Sequence, residues 1–278
     1  MHAFLIQAHK DTIQFRRLLI LLNSHGRTYI HIDKKFESVY QSLNTWKDQC
    51  VLENVVFIEK RVSVMWGHYS QVVATINLLE HALKDDNSAF TLLSGECLPI
   101  KNVSDFISFV SSSNKSYLAH SIQPKMRTRV SKIHFFVDNK HFPKSLLLRK
   151  GSSVFGSVLS VCGFRNSYFD NVDIYKGSPW FTLKRDVVHW LVYNCNVKEL
   201  IEKFKYSVCV DEVFFHTIIG NSEWLRFCVN DNLFHIEWNG AKNPSYLKLD
   251  SAFTDGKFWG RKFSLTDTEL DLFFKNFD

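Results

Sequence analysis

The segment Ala3-Phe4-Leu5-Ile6-Gln7-Ala8-His9 determines the fold class that the sequence predicts. Its uninterrupted apolar run is typical of a parallel strand buried on both faces. Apolar residues at helical spacing follow, and we expect this first helix to have Asp11 as its N-cap and to end at Gly26. Residues 29–33 then have the pattern of a second buried strand, with Asp33 at its carboxyl end.

The same alternation continues along the chain. It predicts strands over 55–58, 89–93, 180–183 and 232–238, and helices over 37–48, 72–83, 104–110, 185–205, 211–219 and 266–274. Strands that alternate with helices indicate an α/β fold with a mostly parallel central sheet and helices on both faces. Ligands bind at the carboxyl ends of the strands in such sheets. His9, Asp33 and Glu96 all lie at the carboxyl ends of predicted strands, so they are the first candidate site residues.

The length of 278 residues fits a single domain over 1–278. Within it, residues 115–177 lack a clear period and are predicted to form a loop-rich basic excursion. Its basic residues, set against Asp138, are Lys125, Arg127, Arg129, Lys132, Lys140, Lys144, Arg149 and Lys150. Because apolar residues of 145–164 accompany them, the excursion is expected either to pack on the core or to contact an anionic membrane surface.

Composition narrows the function classes. The formal net charge of +6 favours an anionic partner such as a nucleotide or a lipid phosphate. Six cysteines occur without a C-x-x-C pair, no export signal opens the chain and no apolar stretch is long enough to span a bilayer. We therefore expect free thiols in a reducing, cytoplasmic compartment.

Several catalytic motifs are missing from the sequence. No G-x-G-x-x-G, phosphate-binding G-x-x-x-x-G-K-[ST], G-x-S-x-G or zinc-spaced Cys/His set occurs. No two Asp residues are separated by one position, so the sequence lacks the Asp-x-Asp motif with which many nucleotide-sugar enzymes hold a divalent cation. If the donor carries a diphosphate, Lys or Arg must offset its charge, and no metal or other cofactor is expected.

Six short motifs occur in a fixed order and together indicate a family. They are HIDKK at 31–35, WGHYS at 66–70, LLSG at 92–95 with Pro99-Ile100, GSPWF at 177–181, DEVFF at 211–215 and RKF at 261–263. Alone, each has an ordinary structural explanation, such as helix capping by the D-E pair or a solvated R-K pair. In this order they resemble the Core-2/I-branching family of glycosyltransferases, which includes the peptide O-xylosyltransferases.

The resemblance implies a GT-A-type fold, a UDP-sugar donor, inversion at the anomeric carbon and no divalent metal. Asp33 matches the family's uridine-contacting acid, and His9 lies at the neighbouring strand end. Trp66 matches a tryptophan beside the donor sugar. Arg261 and Lys262 match a basic pair on the diphosphate, in agreement with the missing Asp-x-Asp motif. The family's commonest donor sugar is GlcNAc, and another hexose remains open.

The resemblance also implies a general base. Glu212 matches the acid that the N-acetylglucosaminyltransferase branch uses to deprotonate the acceptor hydroxyl. The xylosyltransferase branch instead uses an Asp within its G-S-x-W-F motif, where this chain has Pro179. This departure favours Glu212 as the base, with Asp211 serving more as an N-cap, and it argues against the xylosyltransferase branch.

Acceptor contacts are expected from Glu96, Arg129, Trp180 and Trp238. The two tryptophans offer flat apolar faces to sugar rings, although they could equally be core aromatics. The chain resembles a cytosolic bacterial homologue that builds a surface polysaccharide on a lipid-linked acceptor, with peripheral contact to the inner membrane face.

Two other function classes were weighed. A non-catalytic carbohydrate- or nucleotide-binding module is the main alternative. A nucleic-acid partner is not expected, because no recognition motif accompanies the charge.

Overall fold

A computed structural model of the protein describes residues 1–139, 141–142, 144–238, 240, 244–248 and 256–275. The β-strands are β1 His2–Ala8, β2 Arg27–Ile32, β3 Val55–Phe57, β4 Ala89–Ser94, β5 Cys97–Pro99, β6 Ser116–Tyr117, β7 Ser121–Ile122, β8 Tyr175–Lys176, β9 Thr182–Lys184, β10 Cys228–Val229, β11 Phe234–Ile236 and β12 Trp259–Arg261. The α-helices are α1 Ile13–Asn23, α2 Glu37–Gln49, α3 Ser70–Ala82, α4 Val103–Ser111, α5 Met126–Ser131, α6 Leu146–Val161, α7 Arg185–His189, α8 Val197–Lys203, α9 Phe214–Gly220 and α10 Asp267–Phe274.

A seven-stranded sheet with the order β10-β6-β9-β4-β1-β2-β3 forms the centre of the fold. The strands β4, β1, β2 and β3 are parallel neighbours, and β10 pairs with β6 in parallel. Only β9 runs antiparallel to its partners in this sheet as described. The prediction of an α/β fold with a mostly parallel central sheet is therefore confirmed.

Strand β1 shows why helices cover both faces of the sheet. Side chains alternate between the faces of a strand. Phe4 and Ile6 accordingly pack in one buried cluster with α1, α2 and α4, whereas Ala3 and Leu5 pack in a second cluster with α3, α7 and α9. Burial of both faces explains the continuous apolar run with which the sequence begins.

A smaller three-stranded sheet carries the carboxyl-terminal motif to the edge of the main sheet. Its strand order is β11-β12-β5, and β12 pairs antiparallel with β5 so that Arg261 lies opposite Cys97. Because β5 follows β4 after a short turn, this pairing brings Arg261 to the carboxyl end of β4.

Local backbone chemistry corrects several predicted helix bounds. The N-cap of α1 is Thr12, whose side chain accepts a hydrogen bond from Phe15 N, while Asp11 instead pairs with Arg16 at 2.7 Å. The predicted helix over 185–205 is divided into α7, a π-helical turn at Trp190–Asn194 and α8, with Asn196 in the left-handed region between them. The predicted helix over 211–219 is a 3₁₀ turn, Val210–Glu212, followed by α9, so Asp211 is not an N-cap.

The excursion over 115–177 contains more regular structure than predicted. It holds α5 and the 16-residue helix α6, which begins after Ser145, whose side chain accepts a hydrogen bond from Leu148 N. The buried residues of α6 are Ser152 and Gly156. The sequence pattern did not indicate this helix because its apolar residues face away from the protein and form no inward stripe. Lys140, one of the predicted basic residues, lies outside the described residues.

Candidate active site

The carboxyl ends of β1 and β2 hold two of the predicted site residues. Asp33 follows β2 and is buried, and its Oδ1 accepts a hydrogen bond from Lys35 N at 3.0 Å. The Lys35 ammonium lies 3.1 Å from the other carboxylate oxygen. His9 follows β1, with its ring 5.7 Å from that of Phe36, and partial burial together with Lys10 lowers its pKa. Asp33 is therefore a buried carboxylate with two contacts to Lys35, whereas His9 is only partly covered.

Glu96 lies between two cations at the carboxyl end of β4. Its carboxylate is 3.6 Å from the Lys10 ammonium and 3.9 Å from the Arg261 guanidinium. The same guanidinium donates a hydrogen bond to Ser94 Oγ. The predicted residues Glu96 and Arg261 are therefore neighbours, and Lys10 adds a cation that the sequence analysis did not assign to the site.

Arg261 and Lys262 have different surroundings although they are adjacent in sequence. The Arg261 guanidinium carbon lies 4.5 Å from the centre of the Trp180 ring, an attractive cation–π contact. The Lys262 ammonium lies over Tyr246 at 4.3 Å. Arg261 thus faces the residues at the end of β4, whereas Lys262 contacts Tyr246, which lies between β11 and β12 in the sequence.

A small cavity lies behind Trp180 at the carboxyl edge of the sheet. It is lined by Gln7, Gln71, Val72, Thr75, Leu92, Pro179, Trp180, Asp211 and Phe215. The Gln7 amide donates to Thr75 Oγ1 at 2.7 Å and to Gln71 O at 3.2 Å. Burial raises the pKa of Asp211 to about 6, and the neighbouring Glu212 carboxylate adds to the increase. The sequence analysis did not predict that Asp211 lines a cavity with a raised pKa. The only indication in the sequence was the adjacent pair of acidic residues.

Glu212 lies on the same 3₁₀ turn and is half-buried. Its Oε2 is 3.1 Å from the Lys176 ammonium at the end of β8. Its carbonyl oxygen accepts a hydrogen bond from Gly177 N at 3.0 Å, which fixes the turn against the Gly177-Ser178 motif. The sequence analysis did not assign Lys176 to the site. Its position directly before the Gly177-Ser178 motif is the one sequence feature that could have indicated it.

The loop that carries Trp66 packs on the same turn. Gly67 has a φ of +68°, a backbone conformation that glycine adopts without strain. Its N–H donates to Gln71 Oε1 at 3.1 Å, and its carbonyl accepts from Val210 N at 3.3 Å. The motif at 66–70 therefore contacts the turn that bears Glu212, while the Trp66 indole is exposed.

Arg129 approaches the turn from α5. Its guanidinium donates a hydrogen bond to Cys209 Sγ at 2.8 Å. Burial raises the pKa of the Cys209 thiol to about 11, so this sulfur is a neutral acceptor at ordinary pH. Arg129 therefore contacts Cys209, the residue directly before the 3₁₀ turn, whereas Trp238, the other outlying acceptor candidate, is exposed after β11.

Gly177 has a steric role in the G-S-x-W-F motif. A Cβ atom at this position would lie 1.7 Å from Ala119 O and 2.7 Å from the His216 ring. His216 in turn donates through Nε2 to Ser178 O at 2.9 Å, and its burial lowers its pKa to about 4. Only glycine therefore allows the strand to come close enough to support Glu212.

The contacts join four of the predicted residues, Glu96, Arg261, Trp180 and Glu212, into one continuous site, whereas His9, Asp33, Lys262 and Trp238 make their described contacts outside it. It runs from Lys10 and Glu96 through Arg261 and Trp180 to the cavity and then to the Asp211–Glu212 turn. Among the described residues, no three His, Cys, Asp or Glu side chains converge where a metal ion could bind. The arrangement offers cations for an anionic leaving group and a carboxylate for proton transfer.

Known proteins with similar sequences have glycosyltransferase names. Xylosyltransferase 2 of Canis lupus familiaris is 25% identical over 246 residues, which cover 85% of this chain and 26% of that protein. The human protein named probable beta-1,3-galactosyl-O-glycosyl-glycoprotein beta-1,6-N-acetylglucosaminyltransferase 7 is 25% identical over 207 residues, covering 72% of this chain and 45% of that protein. The chain thus spans between a quarter and a half of the length of these relatives.

Among solved structures, a mannose-1-phosphate geranyltransferase from Thermus thermophilus matches with a TM-score of 0.35 and 8% identity over 78% of this chain and 71% of that one. The sequence profile described as Core-2/I-Branching enzyme matches residues 2–252, a range that includes Glu96, Trp180 and the Asp211–Glu212 turn and ends before Arg261. The chain therefore belongs to the Core-2/I-branching enzyme family.

Proposed function

We propose that the protein is an inverting glycosyltransferase that moves a sugar from a UDP-sugar to a glycan hydroxyl without a divalent metal. The observation that carries this proposal is the Asp211–Glu212 turn, where the half-buried Glu212 carboxylate is paired with Lys176 beside a cavity lined by Trp180. A carboxylate and a half-buried indole at one sheet edge suit the deprotonation of a sugar hydroxyl and the binding of a sugar ring.

The reaction is a single displacement. Glu212 accepts the proton of the acceptor hydroxyl, whose oxygen forms a bond to the anomeric carbon of the donor sugar. The bond between that carbon and the phosphate oxygen breaks, and UDP leaves with the electron pair. Lys176 holds the Glu212 carboxylate by an ion pair at 3.1 Å, which fixes its orientation for the transfer.

Arg261 is the proposed partner of the departing diphosphate. Its side chain is only 18% exposed, which strengthens electrostatic interactions compared with those at the open surface. A guanidinium offers several fixed donors to phosphate oxygens. Lys10, which shares the Glu96 carboxylate with Arg261, and Lys262, the next residue in the sequence, add positive charge. We assign Asp33, His9 and Trp66 to the nucleotide and the donor sugar on the resemblance described above.

The branch of the family is part of the proposal. Relatives named as xylosyltransferase and as N-acetylglucosaminyltransferase match with the same 25% identity. Pro179 favours the second chemistry, because it lines the cavity at a position where a side-chain carboxylate would otherwise serve as base. We propose GlcNAc or another hexose as the transferred sugar, and a screen of donor hydrolysis across UDP-sugars would identify it.

We further propose a lipid-linked oligosaccharide acceptor, with the enzyme acting in the cytoplasm in surface polysaccharide synthesis. All six cysteines are free thiols, which suits a reducing compartment. Glu96, Arg129, Trp180 and Trp238 are the proposed acceptor contacts. None of the described helices has the length and hydropathy needed to cross a membrane.

The decisive variant is Glu212→Gln, compared with Asp211→Asn under saturating donor. Glutamine retains the size of the side chain but cannot accept a proton, so turnover should fall by roughly 10²–10⁴-fold. Calorimetric affinity for UDP should stay unchanged, because the carboxylate acts on the acceptor. Near-normal turnover in Glu212→Gln would contradict the assigned base. UDP binding without transfer or hydrolysis of any donor would instead favour the non-catalytic binding module.

A further inference from the structure

Helix α6 exposes its apolar residues to solvent. Leu147 is 83% exposed and Val161 is 89% exposed, with Val154 and Val158 exposed between them. These four residues occupy helical positions i, i+7, i+11 and i+14, so they form one narrow stripe. Phe155 lies beside the stripe, and Phe164 extends it beyond the end of the helix.

The inward face of α6 is small and polar. Ser152 and Gly156 are buried, and a Cβ at Gly156 would lie 2.3 Å from Ile133 O. Lys132 also donates to Ser157 Oγ at 2.7 Å. A surface helix ordinarily buries its apolar face and exposes its polar one. The close packing of Gly156 and Ser157 on residues 132–133 instead turns the polar face of α6 inward and its apolar face outward.

The surroundings of the stripe are cationic. No Asp or Glu occurs between Asp138 and Asp170 in the sequence, while this segment contains five Lys or Arg residues. Lys144 and Lys150 are exposed near the beginning of the helix, and Arg165, which is paired with Asp170, is exposed beyond its end. A contiguous exposed apolar patch bordered by one sign of charge marks an interaction surface with a partner of the opposite charge.

We propose that α6 docks the protein on a lipid bilayer that carries anionic headgroups, with the stripe from Leu147 to Val161 inserted at the level of the acyl chains and the cations on phosphates. An interfacial helix needs this combination of an apolar face and flanking basic residues. A second copy of the chain fits less well, because a symmetric contact would bring the same cations together.

Docking through α6 would also bring the neighbouring helix α5 toward the membrane. The residues that support α6 continue directly from α5, whose Arg129 contacts Cys209 on the turn before Glu212. A lipid-linked acceptor would meet the site from this side. The docking itself does not depend on the proposed transfer activity, so the two can fail separately.

The test is vesicle co-sedimentation at low salt with the full chain. The wild type should bind phosphatidylcholine vesicles that contain phosphatidylglycerol, and added salt should weaken the binding by about five-fold for each basic contact that is screened. The double variant Leu147→Ser with Val158→Ser should lose about ten-fold or more in affinity, because two apolar side chains no longer enter the bilayer. Lys150→Glu should also weaken binding.

The matched control is Ile20→Ser with Leu272→Ser, which removes two exposed aliphatic residues from α1 and α10. It should bind vesicles like the wild type, and circular dichroism should show both double variants folded. Three outcomes would overturn the proposal: no binding of the wild type to anionic vesicles, equal binding to pure phosphatidylcholine, or a wild-type dimer in solution that the α6 variant converts to a monomer.

Discussion

Replacement of Asp211 by Asn should change how the stability of the protein depends on pH. In the folded protein, burial and the Glu212 carboxylate raise the pKa of Asp211 from its ordinary value of 3.8 to about 6. Between these two pH values the folded state keeps a proton that the unfolded chain has already released. The free energy of unfolding of the wild type therefore falls as pH rises through this window.

The size of the effect follows from the two pKa values. A difference between 3.8 and about 6 corresponds to about 3 kcal/mol of free energy at 25 °C. Relaxation of the turn and of the Gln71 side chain, which bonds to Asp211, reduces this figure, so we expect a change of about 1–3 kcal/mol. The neutral Asn side chain carries no such pH dependence.

Urea unfolding of the wild type and of Asp211→Asn at a series of pH values from 4 to 8 would measure the effect. Subtraction of the two curves cancels the other titrating groups, and the variant should gain stability relative to the wild type as pH rises. A difference that stays flat would show that Asp211 titrates with its ordinary pKa. A difference of opposite sign would mean that the folded protein stabilises the charged form.

The Glu212→Gln variant tests the second cause of the raised pKa. Removal of the neighbouring negative charge should reduce the pKa increase at Asp211 and shrink the pH-dependent difference between the Glu212→Gln protein and the Asp211→Asn/Glu212→Gln double variant. An unchanged difference would assign the whole increase to burial.

Three further predictions concern the donor side and the supporting turn. Arg261→Ala should weaken UDP binding measured by calorimetry by about ten-fold or more, because a charged hydrogen bond is lost, and Lys262→Ala should also weaken it; unchanged affinity in both variants would show that the pair is only surface charge. Transfer or donor hydrolysis should persist in excess EDTA, because cations of the chain meet the diphosphate charge; full loss restored by Mn²⁺ would contradict this. Gly177→Ala should lower the thermal unfolding midpoint, since its Cβ would lie 1.7 Å from Ala119 O, with an overpacking cost of about 1–3 kcal/mol or more. The matched control Gly151→Ala, with no atom within 4 Å of its Cβ, should be neutral or stabilising, and equal behaviour of the two would refute the steric argument.

Sequence patterns predicted the first half of the fold well because its strands are buried on both faces and its first helix has a clear buried stripe. The strands near Phe4 and Tyr29 and the helix with Leu18 and Leu22 have apolar patterns that only a covered parallel sheet satisfies. After residue 180, the helices over 185–205 and 211–219 and the strand over 232–238 were predicted too long, whereas the closing helix over 266–274 agrees with α10 to within one residue. The first of these helices is interrupted at Asn196, which has a left-handed backbone conformation. The 3₁₀ turn before the second is held by the hydrogen bond from Val210 N to Gly67 O. Neither feature leaves a periodic pattern in the sequence.

Strand ends and ordered motifs predicted which residues belong to the candidate site. They did not predict the ion pairs and pKa shifts within it. Glu96 and Arg261 are far apart in sequence, and their proximity follows from the pairing of β12 with β5. The burial of Asp211 depends on Trp180 and on Gln71 across the cavity. Charges that interact only after folding leave no spacing in the chain, so their partners and their pKa values could not be read from it.

Trp180 packs against both hydrophobic clusters, one on each face of the central sheet, and its ring also supports the Arg261 guanidinium. Trp180 therefore connects the two hydrophobic clusters at the edge of the sheet where catalysis is proposed. Loosening of either cluster would free the indole and release the guanidinium at the same time. Heat inactivation should consequently coincide with the main cooperative unfolding transition.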